Sequence, residues 1–532
     1  MKKKLLSVLI CAAMIFSGLL QAVLPSVVYG DDKIVIYCSP EGSSENEGTK
    51  ASPKDIRTAI ASAAAGTLIY LLDGTYTLDS QITIDKAASG TADNYIRLSA
   101  ETAGKVILDF SSETYAGTND NDRGLQINAD YWHVYGIKFY GAADNGMLIA
   151  GSHNIIENCV FEGNRDSGLQ ISRASSATAK TDWPANNLIK NCTSFNNMDI
   201  TGENADGFAS KLTCGDGNVF DGCIAYNNVD DGWDLYTKAE TGAIGTVTLV
   251  NCIAFRNGQT TDGNFTAEAD GNGFKLGGEA IGVNHVVVNC IAFENKNHGF
   301  TDNSNPGIIT VINCTAFNNS LENGEKSNFD FARQFTSNNY FENLLSFTTN
   351  DIKSDKYRGT AVNSVFYGGS GSFLQINTAS LVNTKLESGY TGDAYSPGVS
   401  VSDFVSIESP SATEDIHSIW RNDDGSVNTA GFLQLSADSA LRTLGTDSSV
   451  LGSALGDGIS MEAVEAKTAD DILEFETKPT TSRLSKEERD KLLMTPVEEH
   501  KPFPIIPVVA AVSGVIAVIV VALILLKKAK KN

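Results

Sequence analysis

Six segments of the chain share one pattern: IIENCVFEGN, LIKNCTSFNN, VFDGCIAYNN, TLVNCIAFRN, VVVNCIAFEN and TVINCTAFNN, around Cys159, Cys192, Cys223, Cys252, Cys290 and Cys314. The steps between these cysteines are 33, 31, 29, 38 and 24 residues, so each unit is one supersecondary repeat with insertions of variable length. Within a unit the residues read as short alternating strands closed by Asn turns, with no helical period between them. Strand-built units of this size stack into an all-β parallel β-helix, whereas a Greek-key sandwich carries no such self-similarity. Successive coils then lie about 4.8 Å apart, so residues in one column touch although they are far apart in sequence. The Cys and Phe columns are expected in the interior and the Asn column in a turn ladder. Cysteines recurring in one context argue against a disulfide framework and for buried free thiols.

A second column carries charge. A glycine followed by a large residue recurs once per unit: Gly146-Met147, Gly168-Leu169, Gly207-Phe208, Gly232-Trp233, Gly273-Phe274 and Gly299-Phe300. With that glycine as register mark, Asp206 and Asp231 fall on adjacent coils just before it, and Asp234 and Lys275 fall on the next pair just after it. Four carboxylates, Asp206, Asp230, Asp231 and Asp234, are therefore expected to converge from two coils. Like charges stacked at that spacing destabilise a fold unless something neutralises them. All-oxygen ligation points to Ca2+, and His/Cys clusters with zinc spacing are absent from the sequence.

Lys275 projects beside this cluster in GNGFKLGG, whose glycines are expected to leave its approach open. A divalent cation nearby disfavours the ammonium form, which is what a general base requires. A cation next to a lysine base suits removal of the proton α to a carboxylate, with charge taken up as an enolate-like transition state develops. If the β carbon bears a glycosidic oxygen, the bond breaks by elimination, and the substrate is a polyuronate.

The fragments NADGFASKL, GCIAYNNVDDGWDLY, VNCIAFRNG, GNGFKLGG and INCTAFNN, in this order, resemble the family 9 polysaccharide lyases, pectate lyases built as right-handed parallel β-helices. The resemblance covers about residues 33 to 460. It includes ASPKDIRTAIASAAAGTLIYLLDGTY, where a short helix near 53 to 64 is expected to cap the first coil, and a C-terminal packing segment beginning DFVSIESPSATEDIHSIW. It implies that Asp206, Asp230, Asp231 and Asp234 are calcium ligands and that Lys275 is the Brønsted base. The implied activity is calcium-dependent β-elimination of homogalacturonan, leaving a 4,5-unsaturated uronate. Lys211, Arg256, Lys296 and Arg165 are further candidates for binding uronate carboxylates. Nothing is carried over onto the insertion 257 to 271 or beyond residue 340.

Three other readings fit the same residues. A glycoside hydrolase on the same scaffold would use two of the carboxylates but has no role for Lys275. A related lyase would keep the chemistry and act on alginate or rhamnogalacturonan. A non-catalytic polysaccharide-binding solenoid would use Ca2+ as a structural clip. GNGFKLGG lacks the remaining positions of a Walker A or dinucleotide fingerprint.

The ends set the expected location. Lys2, Lys3 and Lys4, an apolar run from Leu5 to Leu24, and Val28-Tyr29-Gly30 have a signal-peptide layout over residues 1–30. Residues 505–526 form an uncharged stretch of 22 residues followed by Lys527, Lys528, Lys530 and Lys531, a transmembrane helix with a basic cytoplasmic tail over 527–532. Residues 31–460 are expected to form the extracellular catalytic domain and 461–504 a charged linker. The segment 31–504 carries all 64 carboxylates but only 33 of the 40 Lys and Arg, a formal charge of −31. Nucleic acid is thereby excluded as a partner, and a polyanionic substrate needs local cations to be captured. A monomer bound to pectin and to the membrane is expected.

Overall fold

The computed structural model describes residues 34–115, 122–322, 324–334, 337–369, 372–376, 394–395, 399–411 and 414–468. These belong to the first of two compact units, residues 1–483; the second, 484–532, lies outside the described residues, as does the expected signal peptide. Among the described residues no helix is long and apolar enough to cross a membrane, and the span expected at 505–526 is not among them.

The repeat folds as a stack of coils. In one coil the chain passes through Asn218–Asp221, Ile224–Tyr226 and Trp233–Asp234, strands of sheets one, two and three respectively. Among the described residues these sheets hold 12, 13 and 10 strands, and each strand pairs in parallel with its counterparts in the coils before and after. The parallel pattern ends at Ser364–Gly369, which pairs antiparallel with Ser372–Ile376.

Two different asparagine columns explain the repeat. Asn158, Asn191, Asn251, Asn289 and Asn313, with Gly222 in the same position, turn the chain from sheet one to sheet two at φ between 50° and 65°. This left-handed conformation is open to Gly and tolerated by Asn, so the residue before each Cys is one or the other. The following cysteine points inward; Cys252 Sγ, for example, donates to Phe220 O at 3.5 Å. All eight described cysteines are free and buried, as expected. After sheet two, the buried amides of Asn164, Asn197, Asn228, Asn257, Asn295, Asn319 and Asn328 form a ladder, each Nδ2 donating to the next Oδ1 at 2.7 to 3.0 Å. Each rung satisfies polar groups that burial would otherwise leave unpaired.

The glycine column packs against this ladder. A Cβ on Gly232 would lie 2.6 Å from Gly273 O and 2.8 Å from Asn257 Nδ2, so no larger residue fits between coils. The large residue after each glycine turns into the interior, where Phe208, Trp233, Phe274, Phe300 and Phe329 stack with centroids 4.7 to 5.1 Å apart. These rings carry much of the core's buried apolar area.

The expected interior Phe column of the Cys repeat requires correction. Strand alternation turns Ala225, Ala254, Ala292 and Ala316 inward, and Tyr226, Phe255, Phe293 and Phe317 to the outer face of sheet two. Phe255 and Phe293 are nonetheless fully buried, because Trp420 and Phe432 of the C-terminal segment lie over them. That segment therefore does pack on the coil stack, and it continues further than its expected end at 460. Met461 exchanges hydrogen bonds with the Asn251 side chain, and Lys467 N donates to Thr310 Oγ1, along the outer face of sheet one. The expected helix is present as Ile56–Ala61, capped by Asp55, whose side chain accepts from Thr58 N at 2.9 Å.

Candidate active site

The site lies where chain leaving the asparagine ladder enters sheet three. Parallel pairing sets Ala209 opposite Asp234 and Asp234 opposite Lys275. Asp230 and Asp231 occupy the turn between Asn228 and Trp233, and Asp231 N donates to Asp206 Oδ1 at 3.3 Å, joining the two coils. Carboxylate oxygens of Asp206, Asp230 and Asp231 all lie within 4.8 Å of one another. Asp234 comes up on the strand beside this trio, with its Oδ2 3.2 Å from Lys211 Nζ.

These carboxylates are buried, and burial dominates their titration. It pushes Asp206 up to about 7 and Asp231 up to about 8, against the opposing pull of Lys211 and Lys275 respectively. Asp230 is raised by burial and then by the neighbouring Asp231. Asp234 Oδ1 is buried with no hydrogen-bond partner among the described residues, and Asp231 Oδ2 has only the Lys275 ammonium, 3.0 Å away. A buried carboxylate oxygen left without a donor is costly. An all-oxygen donor set, three of whose carboxylates bring oxygens within 4.8 Å of one another and a fourth of which has an unused oxygen, fits a hard divalent cation such as Ca2+.

Lys275 is almost fully buried, 3.0 Å from Asp231 Oδ2 and 2.8 Å from Asp270 Oδ2, with the Tyr236 ring 5.6 Å away. Burial alone would lower its pKa, but Asp231, Asp234, Asp230 and Asp270 together outweigh it and hold the ammonium well above its ordinary range. The glycines around it do not simply leave space. A Cβ on Gly278 would sit 2.3 Å from the Tyr236 ring, so that position is glycine to admit the aromatic.

The sequence did not single out Asp270, which belongs to the insertion 257–271. Its backbone N donates to Asp230 Oδ1 at 2.7 Å, which brings the insertion's last turn down onto the acidic trio. Its place three residues before Gly273 was legible, but the length of the insertion hid it. Asn272 was missed as well: its N and Nδ2 both donate to Asp231 Oδ1, at 2.6 and 2.9 Å. That double hydrogen bond fixes the carboxylate and leaves Oδ2 facing Lys275.

The four candidate substrate-binding cations have different fates. Lys211 belongs to the site: it pairs with Asp206 at 2.6 Å and lines the same cavity as Lys275. Arg256 does not, because its guanidinium is held by Glu294 at 2.8 Å, Ser409 and Pro410 O under the C-terminal segment. Lys296 stands against Glu322 at 3.7 Å and under the Phe265 ring at 4.1 Å, in a separate cavity of about 230 Å³. Arg165 is exposed, with its guanidinium 5.2 Å from the Tyr115 ring. The central cavity, about 500 Å³, is lined by Asn204, Lys211, Asp230, Asp234, Tyr236, Lys238, Glu268, Asp270, Lys275 and Asn303 among others, and so spans successive coils of sheet three.

Comparison with known proteins points to one group. The family described as "Pel9A-like, right handed beta helix region" matches residues 36–354. A protein named "Pectate lyase L" from Paenibacillus polymyxa (strain SC2) is 45% identical over 418 residues, 78% of this chain and 85% of the relative. Another of that name from Dickeya chrysanthemi is 33% identical over 426 residues, 78% of this chain and 87% of the relative. The solved structure described as "Crystal structure of pectate lyase Pel9A" superposes with a TM-score of 0.60 at 31% identity, covering 79% of this chain and 92% of its own.

Proposed function

This chain belongs to the Pel9A-like right-handed β-helix family and is a polysaccharide lyase, and from that premise we propose that it is a pectate lyase that cleaves α-1,4-linked galacturonan by calcium-dependent β-elimination, with Lys275 as the base. The single observation that carries the reading is the pairing of Asp234 with Lys275 beside the trio Asp206, Asp230 and Asp231.

In this account Asp206, Asp230, Asp231 and Asp234 hold the cation. When bound, Ca2+ supplies positive charge that holds a uronate carboxylate and offsets the charge developing on it. Lys275 Nζ takes the proton from C5, the electron pair of that bond forms the C4–C5 double bond, and the C4–O bond breaks with its pair going to the glycosidic oxygen, which takes up a proton from water and leaves as a hydroxyl. A base must be neutral, and the carboxylates around Lys275 oppose that as long as their charge is directed at it. The lysine therefore depends on those carboxylates being engaged elsewhere. Lys211, paired with Asp206 and Asp234, keeps part of the cluster's charge compensated and lines the cavity the polymer enters.

Export and anchoring belong to the same proposal and rest on the sequence at the two ends: a signal peptide over 1–30, a charged tether ending near 504, a membrane helix over 505–526 and a monomeric body outside the cell. Fractionation of cells tests this, since mature protein found wholly in the culture supernatant contradicts the anchor. The activity is tested by the appearance of unsaturated uronate from polygalacturonate and its dependence on Ca2+ and on Lys275.

A further inference from the structure

The column that carries Asp234 and Lys275 continues. Pairing sets Lys275 opposite Thr301, Thr301 opposite Asp330 and Asp330 opposite Lys356. Asp330 thus faces the same side of sheet three as the proposed base, two coils or about 10 Å further along. Asn303, next to this column, already lines the central cavity, so the cavity runs toward Asp330. Thr301, between them in the column, has a short side chain that is itself buried.

Asp330 is 5% exposed, and its Oδ1 is buried with no hydrogen-bond partner among the described residues. Its Oδ2 lies 3.5 Å from His298 Nε2 and 3.6 Å from Lys356 Nζ. His298 Nδ1 accepts from Ser327 N at 3.2 Å, which assigns the ring proton to Nε2, facing Asp330. Burial moves His298 down to about 4, so the imidazole is neutral and donates as an N–H. A buried carboxylate oxygen without a donor costs free energy that a bound hydroxyl recovers. A second uronate carboxylate does not suit the place, since Asp330 repels it. The group that completes this cluster donates a hydrogen bond to Asp330 and accepts one from Nε2 or Nζ, and a sugar hydroxyl does both.

We propose that His298, Asp330 and Lys356 form a saccharide subsite that reads ring hydroxyls of the polymer two coils beyond Lys275. The assignment rests on the lyase reading and deepens it, because the subsite acts on a chain already engaged at the base. It binds a sugar remote from the bond that breaks, so its contribution appears only with substrates long enough to reach it.

The test is a chain-length series. Purified oligogalacturonides from trimer to octamer are assayed for kcat/KM with the wild type, Asp330→Asn and His298→Gln, with thermal melting recorded for each protein. The wild type is expected to gain sharply at the length that first occupies the subsite. Both variants are expected to lose that gain, roughly tenfold or more, and to match the wild type on shorter chains and in melting temperature. A gain retained in both variants, or a proportional loss at every length, would overturn the subsite while leaving the lyase reading intact. A wild type that eliminates no oligogalacturonide of any length overturns both.

Discussion

Asp234 and Lys275 sit directly opposite each other on adjacent strands of sheet three, an acid and a base brought together by coil stacking across an intervening insertion. The Lys275 ammonium pairs instead with Asp231 and Asp270, at 3.0 and 2.8 Å. The residue proposed to abstract a proton is therefore held in its charged form by the residues proposed to bind the cation. Catalysis on this scaffold needs those carboxylates occupied twice over, to capture substrate and to release the lysine from its ion pairs.

Replacing Lys275 tests the base. Lys275→Ala is expected to lower kcat on polygalacturonate by about 10² to 10⁴-fold, the usual worth of a positioned general base. Calcium-dependent stabilisation of the same variant should survive, because the four carboxylates remain. Loss of activity together with loss of the calcium response would instead assign Lys275 to holding the site.

Stability should respond to the cation through the carboxylates. With free Ca2+ a hundredfold above its dissociation constant, binding to the native state alone adds about 2.7 kcal/mol, read as a rise in denaturant midpoint that chelator reverses. Asp231→Asn keeps an acceptor for Asn272 but removes one carboxylate from the cation site. It should gain much less from Ca2+ than the wild type does.

Glu113 offers a pH test outside the cation site. Burial raises its carboxyl to about 7 from an ordinary value near 4.5, with only one of its oxygens hydrogen-bonded, to Ala143 N. The native state therefore keeps a proton that the unfolded chain has lost, so stability falls as pH rises from about 4.5 through about 7. Glu113→Gln removes that penalty. The variant should be more stable than the wild type at pH 8 by on the order of 1 kcal/mol, with the difference shrinking toward pH 4.5 in denaturant titrations.

The glycine column predicts a steric failure. Gly232→Ala pushes a methyl group into Gly273 O and the Asn257 amide, and should cost about 1 to 3 kcal/mol in unfolding free energy. Substitution at Gly104, where a Cβ meets nothing within 4 Å but φ is +75°, should cost less, through backbone conformation alone.

How much of this was legible in the sequence depended on whether a residue's role repeats. The Cys, Asn and Gly columns recur in each coil, and coil stacking converts recurrence into contact. The register of Asp206, Asp231, Asp234 and Lys275 was therefore readable from spacing alone. Asp270 was not, because it belongs to an insertion that occurs once and has no column to be aligned with. The Phe column was misread for a related reason. Alternation says that Ala254 and Phe255 face opposite sides, but which side is the interior depends on what covers the other, and Trp420 is far away in sequence. Arg256 was a surface cation by its local context, and only the returning C-terminal segment, with Pro410 O and Ser409, gives its guanidinium a structural task.

The proposed chemistry requires the carboxylate cluster and Lys275 to act together in calcium-dependent elimination. The most direct measurement follows ultraviolet absorbance of unsaturated uronate while the purified protein acts on polygalacturonate, with Ca2+, with chelator, and with Lys275→Ala. Absorbance should grow steadily with Ca2+, stop on adding chelator and resume on adding Ca2+ back, with almost none for the variant at any Ca2+ concentration. Chain cleavage that yields saturated reducing ends without absorbance, or absorbance indifferent to both chelator and Lys275→Ala, would contradict that chemistry.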